Sequence, residues 1–148
     1  MSPKRILLCT DFSENSEPAL QCALEHAKVF QAALLILHVT DSWAGFPSYE
    51  HGVYLNIQEV VQSREESALA KLEHILEEHG EIPTDVKTYS RIGVPAQEIV
   101  RLADEESVDM IVMGTHGWTG FRHMLLGSVA ENVLRTAKCP VLVVRPRH

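Results

Sequence analysis

Residues 110–129, MIVMGTHGWTGFRHMLLGSV, carry the pattern that is most informative about the fold. Its apolar start, residues 110–113, predicts a buried strand. Four glycines then fall within fourteen residues, at positions 114, 117, 120 and 127. A helix is predicted over residues 127–137. A strand, a glycine-rich connection and a helix in this order are typical of one unit of an α/β protein.

The same alternation extends over the rest of the chain. Further apolar runs predict strands at residues 5–10, 34–39, 86–90 and 141–144. Helical spacing of apolar residues predicts one helix beginning near Ser16, a second ending at His79 and a third beginning at Pro95. Because the strand runs are continuously apolar, both faces of the sheet should be covered. We therefore predict an α/β fold, with an open, doubly wound, parallel sheet of five strands and helices on both faces.

Composition narrows the class of protein. The 148 residues are 45% hydrophobic, which predicts one domain spanning residues 1–148. The net charge of −7 argues against broad nucleic-acid binding. The longest apolar run, residues 32–37, is too short for membrane insertion. Three widely spaced cysteines without a C-x-x-C pair favour a reducing, cytoplasmic location.

Two strand ends carry distinctive chemistry. In open α/β sheets, ligands bind beyond the carboxyl ends of the strands, where the strand order reverses. Thr10 and Asp11 follow the first strand, and the glycine-rich segment follows the fourth. Glycine permits positive φ and lets backbone amides approach an anion, while a helix opening at Gly127 and Ser128 favours phosphate. The alternative is a flexible connection with Ser128 as a helix cap.

Other nucleotide and catalytic motifs are absent from the sequence. There is no G-x-x-x-x-G-K-[ST], no glycine in the turn after the first strand, and no nucleophile elbow at Ser128. The glycine-rich segment contains no carboxylate, and Glu131 lies one turn into the helix. We therefore identify no convincing general base, and any hydrolysis should be slow.

Several polar and aromatic residues have two interpretations. Asp11 could contact a ligand at the end of the first strand, or it could cap the first helix or its turn. His116 and His123 lack a metal-ligand cluster and are expected to contact phosphate or solvent. His38 is expected to be a hydrogen-bonded core residue. The loop over residues 40–56 carries four of the nine aromatic residues and is either a lid or partner surface, or packs on its own domain.

Taken together, these segments resemble the universal stress protein family, and within it the ATP-binding branch. The motif of that branch, G-x2-G-x9-G-[ST], is matched at full spacing by Gly114, Gly117, Gly127 and Ser128. The similarity covers nearly the whole chain and is weakest over residues 42–56. It implies the strand order 3-2-1-4-5, whose reversal lies between the first and fourth strands.

The resemblance also implies the ligand and its contacts. The ligand would be ATP, or AMP or ADP, with Mg²⁺ or Mn²⁺ held mainly by the phosphates. Residues after the first two strands would hold the adenosine end, those after the fourth strand the ribose and α-phosphate, and those opening the last helix the outer phosphates. The implied nucleotide-binding residues are Thr10, Asp11, Val39, Met113, Gly114, Gly117, Arg122, Gly127, Ser128 and Val129.

The implied strand order makes the fifth strand, residues 141–144, an apolar edge. Such an edge invites aggregation when it is bare, so we expect a homodimer through this strand. The alternative is burial by helices on its two faces alone.

The predicted function is an ATP-binding regulatory protein of the stress response, with the nucleotide as a switch on binding of an unknown protein partner. The alternatives are a slow Mg²⁺-dependent ATPase and a nucleotide-independent dimeric adaptor.

Overall fold

Five parallel strands form one sheet in the order β3-β2-β1-β4-β5, which confirms the predicted fold and strand order. The computed structural model describes residues 2–41, 57–80, 82–83, 85–117 and 126–146. The elements are β1 (Arg5–Cys9), α1 (Glu17–Phe30), β2 (Ala33–Asp41), α2 (Ile57–Glu78), β3 (Val86–Gly93), α3 (Pro95–Glu105), β4 (Met110–Gly114), α4 (Ser128–Thr136) and β5 (Val141–Val144). A short 3-10 turn, Glu14–Ser16, precedes α1.

The apolar runs of β1, β2 and β4 are buried on both faces of the sheet. Successive side chains of a strand point to opposite faces. Accordingly, Ile6 and Leu8 of β1 pack with α1 and α2, while Leu7 and Cys9 pack with α3 and α4. Two core clusters therefore form, one on each side of the sheet, as the sequence pattern predicted.

Strands β2 and β3 extend further than their apolar runs indicated. They end at Asp41 and Gly93 and stay paired over that whole length, whereas β1 ends at Cys9, opposite Leu37. Backbone pairing does not require apolar side chains, so the polar tail of each strand continues the ladder. The β2–β3 pair consequently projects past β1 and forms a side wall at the carboxyl edge of the sheet.

The helix boundaries follow local signals closely. Proline lies in the first turn of both α1 and α3, where its missing amide hydrogen costs no hydrogen bond. Gly80, with a φ of 70°, follows the end of α2. Within the described residues, no helix is both long and apolar enough to cross a membrane.

Candidate functional site

The loops that follow β1 and β4 meet at the carboxyl edge. The two strands are neighbours in the sheet. The Asn15 side chain donates a hydrogen bond to the Gly117 carbonyl over 3.3 Å. A Cβ atom placed on Gly117 would overlap Oδ2 of Asp11. The structure therefore brings together the two segments that the sequence singled out.

The turn after β1 is held by hydrogen bonds around Asp11. The Ser13 amide and hydroxyl both donate to Oδ1 of Asp11, over 3.0 and 2.6 Å. The Ser16 hydroxyl donates to the Ser13 carbonyl, and Thr10 Oγ1 lies 3.0 Å from Ser16 Oγ. Asp11 thus caps its own turn through one oxygen, one of the two roles weighed for it, while Oδ2 lies against Gly117.

The N-terminus of α4 opens beside the loop after β4. The Gly127 amide donates to the Thr115 carbonyl over 2.8 Å. Gly127 is the N-cap, and no side chain caps the helix among the described residues. Ser128 is the first residue of the helix, so the interpretation of Ser128 as the cap was wrong. The first-turn amides and the positive end of the helix dipole together favour an anion here.

The glycines at this edge are explained by close packing and not by positive φ. Among the glycines of the described residues, only Gly80 has a positive φ. A Cβ on Gly114 would lie 3.1 Å from the Asn15 carbonyl oxygen, and one on Gly127 would lie 3.0 Å from the Thr115 carbonyl oxygen. Positive φ, one of the two reasons given for glycine in this segment, therefore does not apply at positions 114, 117 and 127. Gly120 lies outside the described residues.

The two described histidines near the site differ in their environment. His38 Nδ1 lies 3.0 Å from the Thr10 carbonyl and donates to it, and burial lowers the pKa of His38. This confirms the predicted hydrogen bond, although the His38 side chain is half-buried and lies outside the two core clusters. Nε2 of His116 is buried and has no hydrogen-bond partner in the part of the chain that the structure describes. The His116 side chain is half-buried, so solvent exposure alone does not describe it, and the predicted contact with phosphate stays a prediction.

The remaining predicted site residues take different places. Met113 is buried in the core cluster under α3 and α4, in register with Cys9 and Val143, so its side chain lies beneath the site. Val39 lies on the projecting wall, and Val129 packs partly against the same cluster as Met113. Arg122, His123 and residues 42–56 lie outside the described residues.

Two residues of the site were missed by the sequence analysis. Asn15 links the two loops, and its only signal was membership of a polar turn. Phe12 has a left-handed backbone, with a φ of 64°, and no local pattern marks such a conformation at a phenylalanine. Among the described residues, no group of three or more His, Cys, Asp or Glu side chains is placed to hold a metal ion.

The sheet and this edge define an open α/β protein whose candidate site lies where the strand order reverses. The universal stress protein family matches residues 3–145, and the chain belongs to that family. It is 40% identical to Universal stress protein MJ0531 of Methanocaldococcus jannaschii over 144 residues, covering 96% of this chain and 82% of that protein.

Solved structures agree with this assignment. The structure of MJ0577, also from Methanocaldococcus jannaschii, matches with a TM-score of 0.75 at 35% identity, over 100% of this chain and 99% of that one. A universal stress protein solved in complex with cAMP matches with a TM-score of 0.65 at 26% identity, over 99% and 100% of the two chains.

Proposed function

We propose that this protein binds an adenine nucleotide, ATP by its glycine motif, at the edge between β1 and β4. The observation that carries the proposal is the uncapped first turn of α4 beside the loop after β4. Backbone amides at a helix N-terminus bind phosphate through hydrogen bonds and the helix dipole. Family membership and the cAMP complex of a relative support a nucleotide as the anion.

We propose the following contacts along such a ligand. The Leu37 carbonyl of β2 accepts a hydrogen bond from the Thr10 amide and therefore points towards β1. Backbone groups two residues apart in a strand point to the same side, so those of Val39 also point towards β1, but beyond the residue at which β1 ends. There they would meet the adenosine end together with Asp11. Gly114 and Gly117 would lie along the ribose and α-phosphate, and residues 127–129 would hold the outer phosphates. A contact from Arg122 stays a prediction.

A divalent ion would accompany the nucleotide. Mg²⁺ usually keeps waters and binds through phosphate oxygens, so it needs no dedicated protein cage. We propose that Mg²⁺ or Mn²⁺ is held mainly by the phosphates of the bound nucleotide. Its contribution would be to neutralise phosphate charge next to the amides of α4.

Regulation by binding is favoured over hydrolysis. Catalysis would need a base that positions water near the outer phosphate. Glu131, in the first turn of α4, is exposed, and its carboxylate accepts from Arg135 Nη2 over 2.7 Å. We therefore propose that the bound nucleotide acts as a switch on partner binding in a stress response. A slow ATPase and a nucleotide-independent adaptor are the alternatives.

We further propose a homodimer through β5. This strand is at the edge of the sheet, and its four apolar residues, Val141–Val144, are each partly exposed. A second copy of the strand would pair its open backbone groups.

The cytoplasmic location stays a prediction, based on three cysteines that are all free in the structure.

The test begins with denaturation of freshly purified protein and chromatography of any released nucleotide. Calorimetric titration with ATP, ADP and AMP, each with and without Mg²⁺, then gives affinities. Retained or bound adenine nucleotide is the expected result, and release of phosphate on prolonged incubation would favour the ATPase. Absence of both retention and binding would overturn the proposal and favour the adaptor.

A further inference from the structure

Phe12 has an unusual backbone conformation directly beside Asp11. Its φ is 64°, in the left-handed region. For a residue with a bulky side chain this conformation is strained, and it persists only where the surrounding structure holds it. The feature lies at the centre of the turn that carries the candidate site.

The Phe12 ring is held from two other elements. It packs on the imidazole of His38, from β2, with the ring centroids 4.3 Å apart. On α2, Nζ of Lys71 lies 5.4 Å from the centroid of the Phe12 ring. The ring also packs against the core cluster under α1 and α2. These contacts provide the stabilisation that a strained backbone requires.

The reversal at Phe12 determines where Asp11 points. The Phe12 amide donates to Oγ1 of Thr10 over 3.1 Å, and the chain then turns so that the Ser13 amide and hydroxyl both reach Oδ1 of Asp11. With Oδ1 fixed in this way, Oδ2 is directed at Gly117. An extended backbone at residue 12 would carry Ser13 away from the Asp11 carboxylate.

We propose that Phe12 is a positioning residue: its ring, seated on His38 and next to Lys71, maintains the backbone reversal that aims the Asp11 carboxylate into the candidate nucleotide site. The inference rests on the proposed function for its effect on binding. Its structural part, the alignment of Ser13 with Asp11, holds without any nucleotide.

A double-mutant cycle tests the coupling. ATP affinity is measured by calorimetry for Phe12→Ala, Asp11→Ala and the double variant. Phe12→Ala should weaken binding on the order of tenfold, the typical effect of losing a hydrogen bond to a charged group, and should have little further effect once Asp11 is gone. Phe12→Tyr, which keeps the ring, should restore affinity. Independent, additive losses would overturn the proposal.

A second measurement needs no ligand and separates this proposal from the proposed function. In the nucleotide-free protein, hydrogen exchange of the Ser13 amide, followed by NMR, reports its hydrogen bond to Asp11. Exchange at Ser13 should become faster in Phe12→Ala, while exchange at the Ser128 amide should not change. Phe12→Leu, which keeps apolar packing but loses the aromatic contact, serves if the alanine variant fails to fold. An unchanged exchange rate at Ser13 would overturn the positioning role, whereas ATP binding too weak to measure in the wild type would overturn only the proposed function.

Discussion

At the residue scale, Gly127 and Ser128 differ as places to test the phosphate site. A Cβ on Gly127 would lie 3.0 Å from the Thr115 carbonyl oxygen, so Gly127→Glu would disturb packing and ligand binding together. Ser128 is exposed and begins α4, so a longer side chain there meets no such obstacle. A variant at Ser128 therefore tests the phosphate site without disturbing the packing.

Ser128→Asp should weaken ATP binding by about tenfold or more, because it places a negative charge next to the outer phosphates. The same carboxylate near the N-terminus of α4 interacts favourably with the helix dipole, by about 0.3–1 kcal/mol. The melting temperature should therefore stay equal or rise while affinity falls. Calorimetry and thermal unfolding of the same preparation measure both.

Ser128→Asn is the matched control, since it has nearly the same shape without the charge. It should bind ATP with close to wild-type affinity. Equal ATP affinities of the aspartate and asparagine variants would show that Ser128 does not lie next to the phosphates.

Two of the candidate site residues could be predicted from sequence because their signals are local. Asp11 directly follows a predicted strand, and Ser128 lies at the start of a predicted helix. The left-handed backbone of Phe12 could not be predicted, since it depends on His38 and Lys71, which are distant in the chain.

At the element scale, β5 offers a clean test of the dimer. The carbonyls of Pro140 and Val144 accept hydrogen bonds from β4 and the residue after it, so the backbone groups of Val141 and Val143 are directed to the open edge. A change confined to those outward groups should act on the dimer without affecting the inner ladder.

Val143→Pro removes one outward amide hydrogen and should convert a dimer to a monomer in sedimentation analysis. Far-ultraviolet circular dichroism should stay unchanged, because the pairing of β5 with β4 does not use that amide. Val143→Ile keeps the amide and should remain dimeric. A proline variant that is folded and still dimeric would place the interface elsewhere.

A second element-scale feature joins the ends of two helices. His79, just past α2, has Nδ1 2.7 Å from the Ile75 carbonyl and Nε2 2.7 Å from Oε1 of Glu17, at the start of α1. Both partners are acceptors, so the protonated imidazole, which donates from both ring nitrogens, satisfies both contacts. The hydrogen bond to Ile75 and the bond to Glu17, aided by the charge of Glu78, raise the pKa of His79 above 6.5.

The His79 contact should stabilise the fold below pH 6.5, and this contribution should be lost as the pH rises through the elevated pKa of His79 in the folded protein. His79→Gln should therefore be less stable than the wild type by about 0.5–1 kcal/mol at pH 6, with the difference shrinking towards pH 8.5. Chemical denaturation at several pH values measures it.

His74→Gln is the control on the same helix. His74 is exposed, 3.4 Å from Glu78, and its loss should change stability little at any pH. If the deficit of His79→Gln does not change with pH, the charged contact contributes nothing to folding.

At the scale of the whole molecule, the alternation of strands and helices could be predicted from hydrophobic pattern alone. The strand order 3-2-1-4-5 required the family resemblance, because pattern does not distinguish which parallel strands are neighbours. The lengths of β2 and β3 could not be predicted: Arg91 and Gly93 look like loop residues and join the sheet only because a paired strand is available. The single-domain assignment stays a prediction.

Amide NMR of the wild-type protein during titration with Mg²⁺-ATP locates the bound nucleotide. The amides of Gly117, Ser128 and Val129 should shift together, beginning at the lowest ATP concentrations. The amides of Gln31 and Ile82, which lie before β2 and β3 at the opposite edge of the sheet, should stay in place. Shifts confined to that opposite edge would place the nucleotide elsewhere, and the absence of shifts at high ATP concentrations would exclude nucleotide binding.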